Sequence, residues 1–490
     1  ANSWGKSGDT PNAYFTQVIC VGDKPYNGIW AVWVNNEKVT LLIDDIDEDK
    51  GIPVDEYRKG GKDHLWIKFY DGTQTAADDF LVNQVSSTDR PYGTDRVGYG
   101  CPYIVATSLV DDELWTGFPS FKFEFLGIHL YDISKDSTAG GDGDQRADNS
   151  ATWGGDGDFL PAVQIYNLLM GIKYEDQWLY GLQSLPLSRL PAANWIAMIN
   201  KCRLEIEGPG GMETQYKSGG EIQVGAPIAD AIEGLLSACQ GRLSEFGGIY
   251  EIFLGAPGDP TFVVTDDDIL STEEQTFTPF FGLDSTINGV AAKYPSPGDG
   301  WVLKVAPPLY RPDLEVLDGN RRLMADVSLD LVPFPFQVQR LQKSALEEAR
   351  RFRRHTIALP PEYWAYAVPN AFFSWSSSRN GYITKLFRVD GCIDRNDLSI
   401  IVDVTEVDPT DYDFDLYIDY IPPIDNPPVV TYPPPQTIVD WSATAETIVG
   451  DDGSLRPAIK LNWDGTQLDV DLVMWEVRRF ATEEVIHQGN

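Results

Sequence analysis

Apolar and polar residues alternate with a period of two along much of the first 125 residues, and such alternation predicts strands. Tyr14 to Cys20 and Ile29 to Asn35 are β-branched and aromatic, separated by turn residues around Asp23-Lys24-Pro25 and Asn27-Gly28. His64 to Tyr70 alternates up to the Asp71-Gly72 turn and reads as a half-buried strand, and Tyr103 to Thr107 continues the pattern. In Phe121 to Phe125 the three phenylalanines fall on one face, against Lys122 and Glu124 on the other. A stretch dense in Gly and Asp follows from Asp136 to Asp158, and there the period changes. Pro161 to Met170 carries apolar residues at helical spacing, with Pro at its first turn and Gly171 closing it. Asn194 to Asn200, Pro227 to Cys239 and a long segment from about Gln337 to Arg354 predict further helices. Strands return at Ile249 to Phe253, Phe262 to Val264 and Ile400 to Val404.

The C-terminal part differs in kind. Residues 401–426 hold eight acids and no Lys or Arg, and Pro427-Pro428 and Pro433-Pro434-Pro435 make a semi-rigid spacer. Ala458 to Trp463 and Leu472 to Val477 read as alternating strands of a small β-sandwich. Only about sixty residues follow the spacer, fewer than the ~100 of an immunoglobulin-like sandwich. With no initiator Met at the start, the expectation is a piece of a longer polypeptide.

With 490 residues the chain is long enough for several domains, and 38 Lys and Arg against 74 Asp and Glu give a net charge of −36. Such a field argues against a basic-patch nucleic-acid binder and against anionic bilayers. The 42% hydrophobic content excludes an acidic disordered tail. The five cysteines (Cys20, Cys101, Cys202, Cys239 and Cys392) lack any CxxC spacing, so they read as neither a disulfide framework nor a zinc site. No apolar run reaches the ~20 residues needed to cross a bilayer.

Candidate chemistry is sparse. There is no G-x-S-x-G, H-E-x-x-H, Walker A or strand-to-helix G-x-G-x-x-G motif, and His64, His129, His355 and His487 are the only histidines. Asp45, Asp47, Asp49 and Glu56 echo a calcium-loop spacing, but Lys50 stands where that loop needs glycine, so a solvated acidic loop is the stronger reading. Asp142, Asp144, Asp156 and Asp158 read as turn formers rather than ion ligands. Arg340, Lys343, Arg350, Arg351, Arg353 and Arg354 make either a basic helical face for DNA or an acidic partner, or cations offsetting the helix dipole with a Glu347–Arg351 pair; the second reading is the stronger.

Four stretches, taken in order, resemble the central tail-hub, or tip attachment, proteins of long-tailed bacteriophages and gene transfer agents, a family that includes the lambda-like host-specificity proteins. They are Tyr14 to Val39 with Cys20-x-Gly22 and Ile29-x-x-Val32-Trp33; Ala106 to Gly127 with Gly117-Phe118-Pro119 and Phe123-Glu124-Phe125; Leu130-Tyr131-Asp132 through Lys135, Thr138, Gly140 to Gly143, Arg146, Thr152-Trp153 and Pro161-Ala162; and Phe387 to Asp390, Leu398 to Val404 and Glu406 to Pro409 with Tyr412. The third is the most specific, and it reads the Gly/Asp cluster as a structural turn. In the first, Val21-Gly22-Asp23-Lys24-Pro25 departs from the Glu-Gly-Pro-Ile that often follows the family's cysteine. Trp463 and Trp475 sit like the core aromatics of a fibronectin type III module.

The resemblance implies an α+β, β-rich multi-domain fold: a β-rich hub domain over 1–135, open to an insertion at about 40–95; a hinge over 136–160; an α+β hub domain over 161–330; a hub domain with the long helix and return strands over 331–426; and a linker with a partial fibronectin type III domain over 427–490. It further implies a non-enzymatic, cofactor-free homotrimer at the virion tail tip, assembled in the host cytoplasm. Such a hub closes the tail tube, contacts the distal tail protein, tape measure protein and other tip or fibre proteins, reaches a host receptor through C-terminal modules, and opens for transient passage of DNA without stable membrane insertion. No catalytic, metal or cofactor residues are carried over. Acids such as those of 401–426 are expected to face the lumen and let DNA slide. The competing classes are a secreted carbohydrate-active enzyme with an accessory sandwich, whose two carboxyl groups would stand ~5–10 Å apart, and an adhesin.

Overall fold

The alternating runs at the front of the chain form strands that pair across long sequence distances. In the computed structural model Asn2–Ser7, Thr10–Cys20, Tyr103–Leu109, Leu65–Tyr70 and Ile52–Pro53 lie in that order in one antiparallel sheet. The structure describes all residues except 9, 112, 116, 184, 281, 424–439, 451–452, 464–474, 481–484 and 490. A second sheet orders Phe121–Phe125, Ile29–Val34 and Glu37–Val39. Its hairpin turns on Asn35 and Asn36, both at positive φ (52° and 69°), the backbone of a tight primed turn. Val32 and Val34 pack with Leu65, Ile67, Ile104 and Ala106 in one core, and Phe121, Phe123 and Phe125 line up against it.

The strand Leu65–Tyr70 departs from the half-buried reading, because Leu65, Trp66 and Ile67 are buried in succession. Leu65 and Ile67 face the second sheet, while Trp66 packs behind it with Ala13 and Leu109. Both faces are covered, so alternation along this strand separates two apolar environments rather than core from solvent.

The middle of the chain is built on helices α1 (Pro161–Met170), α2 (Ala192–Arg203) and α3 (Ile228–Ala238), with the short α4 (Pro312–Leu317) and the long α5 (Pro335–Ala349). Eight of the ten residues of α1 are buried, so it is wrapped on all sides. It ends at Gly171, at φ 88°, where a Cβ would stand 2.2 Å from the Leu182 carbonyl oxygen. Tyr131, Tyr166, Trp195, Leu235, Ile252, Tyr294, Val338 and Leu341 belong to one core, so residues 130–341 close around shared apolar contacts.

Helix α5 stops at Ala349, short of the expected Arg354, which instead opens the strand Arg354–Leu359. That strand belongs to a six-stranded sheet ordered Phe262–Thr265, Phe372–Ser377, Tyr382–Asp394, Ile400–Glu406, Arg354–Leu359 and Thr276–Thr278. All its pairs are antiparallel except the first, which is parallel. Its core holds Phe373, Trp375, Phe387, Val389, Val402 and Val404. The histidine His355 is buried within it, Nε2 2.9 Å from the Tyr382 hydroxyl.

All of this lies in one unit, Ala1–Asp425; a second unit covers Asn426–Asn490. Within the second, Ser442–Val449 pairs with Leu455–Asn462, and Trp475–Arg478 pairs with Val485–Gly489. The expected strand at Ala458 to Trp463 falls in the first hairpin. The proline spacer and the start of the expected Leu472 to Val477 strand lie outside the described residues.

Candidate functional site

The Gly/Asp segment is the part of the chain that the resemblance marks most strongly, and its polar side chains are spent on its own backbone. The buried Asp132 accepts hydrogen bonds from the Ser134 N–H at 2.9 Å and hydroxyl at 2.7 Å, and pairs with Arg203 of α2. Asp136, also buried, accepts from the Thr138 N–H at 2.8 Å and from the Tyr131 hydroxyl at 2.7 Å, with Arg146 at 3.3 Å. Burial opposes ionisation of Asp136, but the bonds from Thr138 and Tyr131 and the Arg146 charge outweigh it and hold its carboxyl below the usual range. Gln145 spans the loop, accepting from the Asp132 N–H at 2.8 Å and donating to the Gly154 carbonyl at 2.9 Å.

The glycines are there because backbone runs against backbone. A Cβ on Gly141 would sit 2.3 Å from the Ser134 carbonyl oxygen, and one on Gly143 2.6 Å from that of Lys135. Helix α1 is fastened to the same loop through Asn167. Its side-chain oxygen accepts from the Tyr131 N–H at 3.0 Å, and its amide donates to the Tyr131 and Val163 carbonyls at 2.8 Å each.

The four aspartates considered as ion ligands are dispersed. Asp142 pairs with Lys135 at 3.2 Å, Asp156 with Arg203, and Asp158 with His129 at 3.0 Å, while Asp144 is exposed. Burial pushes the Asp158 carboxyl up, against the bonds it receives from Leu130 and His129. In the other acidic run, Asp47 accepts from the Lys50 backbone at 2.8 Å and pairs with the Lys50 ammonium, Asp45 pairs with Arg58, and Glu56 accepts from the Thr40 N–H. Among the described residues no group of three or more His, Cys, Asp or Glu side chains is placed to hold a metal ion.

The basic segment is neutralised from within. Arg350 pairs with Asp318 at 3.0 Å, Arg351 with Asp411 and with Asp408 at 3.2 Å, Arg353 with Glu406 at 3.0 Å, and Lys343 with Asp419 at 2.6 Å. Arg340 donates to the Gln215 carbonyl. The expected Glu347–Arg351 pair is replaced by Glu347–Arg311, because the helix ends before Arg351 and turns that guanidinium toward the 408–411 turn. No continuous basic face results from these residues.

Composition and motif spacing did not single out Asn167, Gln337 or Gln339, yet these buried amides fix chain paths. Gln337 bonds the Lys217 N–H and carbonyl and the Ala238 carbonyl at 2.8–3.0 Å. Gln339 exchanges two bonds with the Ile421 backbone at 2.7 and 2.8 Å, holding the approach to the proline spacer. The available signal was a lone amide inside an apolar helical stripe.

No family model matches the chain, and no curated protein matches it. Among solved structures it is similar to a chain of the virion of a native gene transfer agent particle, with a TM-score of 0.49 and 14% identity over 81% of this chain and 79% of that one. It is also similar to the 43 kDa tail protein of prophage MuSo2 from Shewanella oneidensis, with a TM-score of 0.29 and 8% identity over 82% and 90% of the two chains. A third is the prophage tail protein gp18 from Listeria monocytogenes EGD-e, with a TM-score of 0.22 and 9% identity over 40% and 56%. At these TM-scores and identities the functional reading rests on the chain's own residues.

Proposed function

We propose that the chain is a structural component of the tail tip of a long-tailed phage or gene transfer agent. In this reading it works as a homotrimeric hub that closes the tail tube, anchors the tape measure protein, links to receptor-binding parts and opens for DNA ejection. The observation that carries the reading is the segment from Leu130 to Ala162. Its residues occur in the order of the tail-hub signature, and Asp132, Asp136, Gln145 and Arg146 are held in a hydrogen-bond network that ties the segment to α1 and α2. Residues used this way serve architecture, as a hub requires, rather than ligand chemistry. The acidic balance of −36 per chain also suits a conduit that DNA must leave without sticking.

The test pairs native mass spectrometry of the full chain with immunogold microscopy of the particles that contain it. The expected results are an assembly of three 54.5 kDa chains and label confined to the tail tip. A chain that stays monomeric at micromolar concentration and gives no label on the tail would overturn the proposal, and glycan hydrolysis by that monomer would favour the carbohydrate-active alternative.

A further inference from the structure

The wide spacing of the cysteines hides a pair that folding brings together. Cys20 closes the strand Thr10–Cys20 opposite Tyr103, and Cys101 lies two residues before Tyr103. The ladder runs one bond past the strand end, with the Val21 N–H donating to the Pro102 carbonyl at 3.0 Å, so the two backbones stay at sheet spacing beside the thiols. Alternate residues of a strand share a face, so Cys20 and Cys101 lie diagonally across the ladder on the same side. The two thiols stand near enough that Cys20 bears on the ionisation of Cys101, while each donates to a backbone carbonyl, Cys20 to Gly22 at 3.6 Å and Cys101 to Pro102 at 3.9 Å. Cys20 is exposed and Cys101 half-buried, whereas Cys202 and Cys239 are fully buried and out of reach of a soluble oxidant.

We propose that Cys20 and Cys101 form an oxidisable dithiol that closes to a disulfide when a small-molecule disulfide, such as oxidised glutathione, is supplied. The Cys20 thiolate, on the solvent side, attacks one sulfur of the oxidant. The oxidant's S–S bond breaks, one glutathione thiolate leaves, and Cys20 carries the mixed disulfide. The Cys101 thiolate then attacks the Cys20 sulfur, forming the internal S–S bond and expelling the second glutathione thiolate. Two protein thiols give up two electrons, the oxidant takes them, and the two thiol protons end on the two glutathiones.

Burial first, then the neighbouring Cys20 thiol, push the Cys101 thiol up to about 12. Capping Cys20 as a mixed disulfide removes that neighbour's share. The finished bond would join both ends of residues 21–100, the segment that carries Ile29–Val34, Glu37–Val39 and Leu65–Tyr70. It is a property of this chain and stands apart from the tail-tip role.

The experiment treats the purified full chain with oxidised glutathione at pH 8, then alkylates it under denaturing conditions and maps its peptides without reduction. The expected result is a fall from five alkylated cysteines to three, with one linked peptide pair joining Cys20 to Cys101. The melting midpoint should rise by about 5 °C and return on adding dithiothreitol. Cys101→Ser should stop at a glutathione adduct on Cys20. Five alkylatable cysteines after oxidation, a mixed disulfide persisting on Cys20 of the unsubstituted chain, or a linked peptide joining any other pair would each overturn the proposal. The peptide map of the unsubstituted chain decides the matter even where a serine variant fails to fold.

Discussion

Replacing Asn167 by leucine should detach the Gly/Asp loop from α1 while leaving the helix itself intact. The two side chains share the same heavy-atom count and branching, so leucine is the nearest apolar shape for this buried position on an apolar helix. The loss is polar. Asn167 satisfies both the N–H and the carbonyl of Tyr131, a residue only 2% exposed. Its third contact, to the Val163 carbonyl, is expendable because that carbonyl lies within the helix ladder. Each buried backbone group left unpaired costs about 1–3 kcal/mol, so two of them cost about 2–6 kcal/mol. Hydrogen exchange read by mass spectrometry on peptides covering 128–140 measures this locally and does not require two-state unfolding of the whole chain. A 2 kcal/mol loss is roughly a 30-fold drop in protection. Protection changed by less than about threefold would refute the claim that this amide fastens the loop.

Two further perturbations probe the other buried polar groups. His355, which burial holds down at about 4 against 6.5 when unfolded, is neutral in the folded chain. The unfolded chain therefore binds the proton first, so this stability is complete above pH 6.5 and drains as pH falls toward 4, by about 2 kcal/mol between pH 7.5 and 5. His355→Phe should remove that part of the pH slope in urea unfolding, and an unchanged slope would count against it. Arg351→Ala strips the cation from the buried Asp411 and should cost about 3 kcal/mol at pH 7. The cost should shrink as the pH is lowered, because burial pushes the Asp411 carboxyl up; a pH-independent loss in thermal unfolding would contradict the pairing.

What was legible in the sequence follows the physics of each element. Strands with a clean period of two and the helix Pro161–Met170, with Pro at its start and Gly171 at its end, emerge within a few residues of their expected bounds. Periodicity and caps are local, and they are written in local sequence. The end of α5 was not legible, because it is decided by Asp318, Asp411 and Glu406, which lie 32, 60 and 53 residues from their arginines. The same holds for the Gly/Asp cluster. Its composition reads as turns, but only the fold shows that Asp132 meets Arg203 across 71 residues. The Cys20–Cys101 contact depends on strand register, which spacing along the chain does not encode.

Register and pairing also change what the charge means. The acids of 401–426 were expected as a group facing a lumen, yet Glu406, Asp408, Asp411 and Asp419 are bound to Arg353, Lys385, Arg351 and Lys343 of the same chain. A carboxylate held by a guanidinium presents little field to a passing phosphate, so these four contribute almost nothing to repulsion. Among the described residues of that stretch, Asp403, Asp413 and Asp415 remain exposed. Another loop that stays charged outward carries Asp44, Asp45, Glu48 and Asp49, only one of which, Asp45, pairs with an arginine. A conduit that repels DNA therefore has to draw its field from exposed acids dispersed over the chain. If the chain is the proposed tail-tip hub, neutralising Asp403, Asp413 and Asp415 together with asparagines should leave folding unchanged and slow DNA release from particles; unaltered release would count against these acids facing DNA.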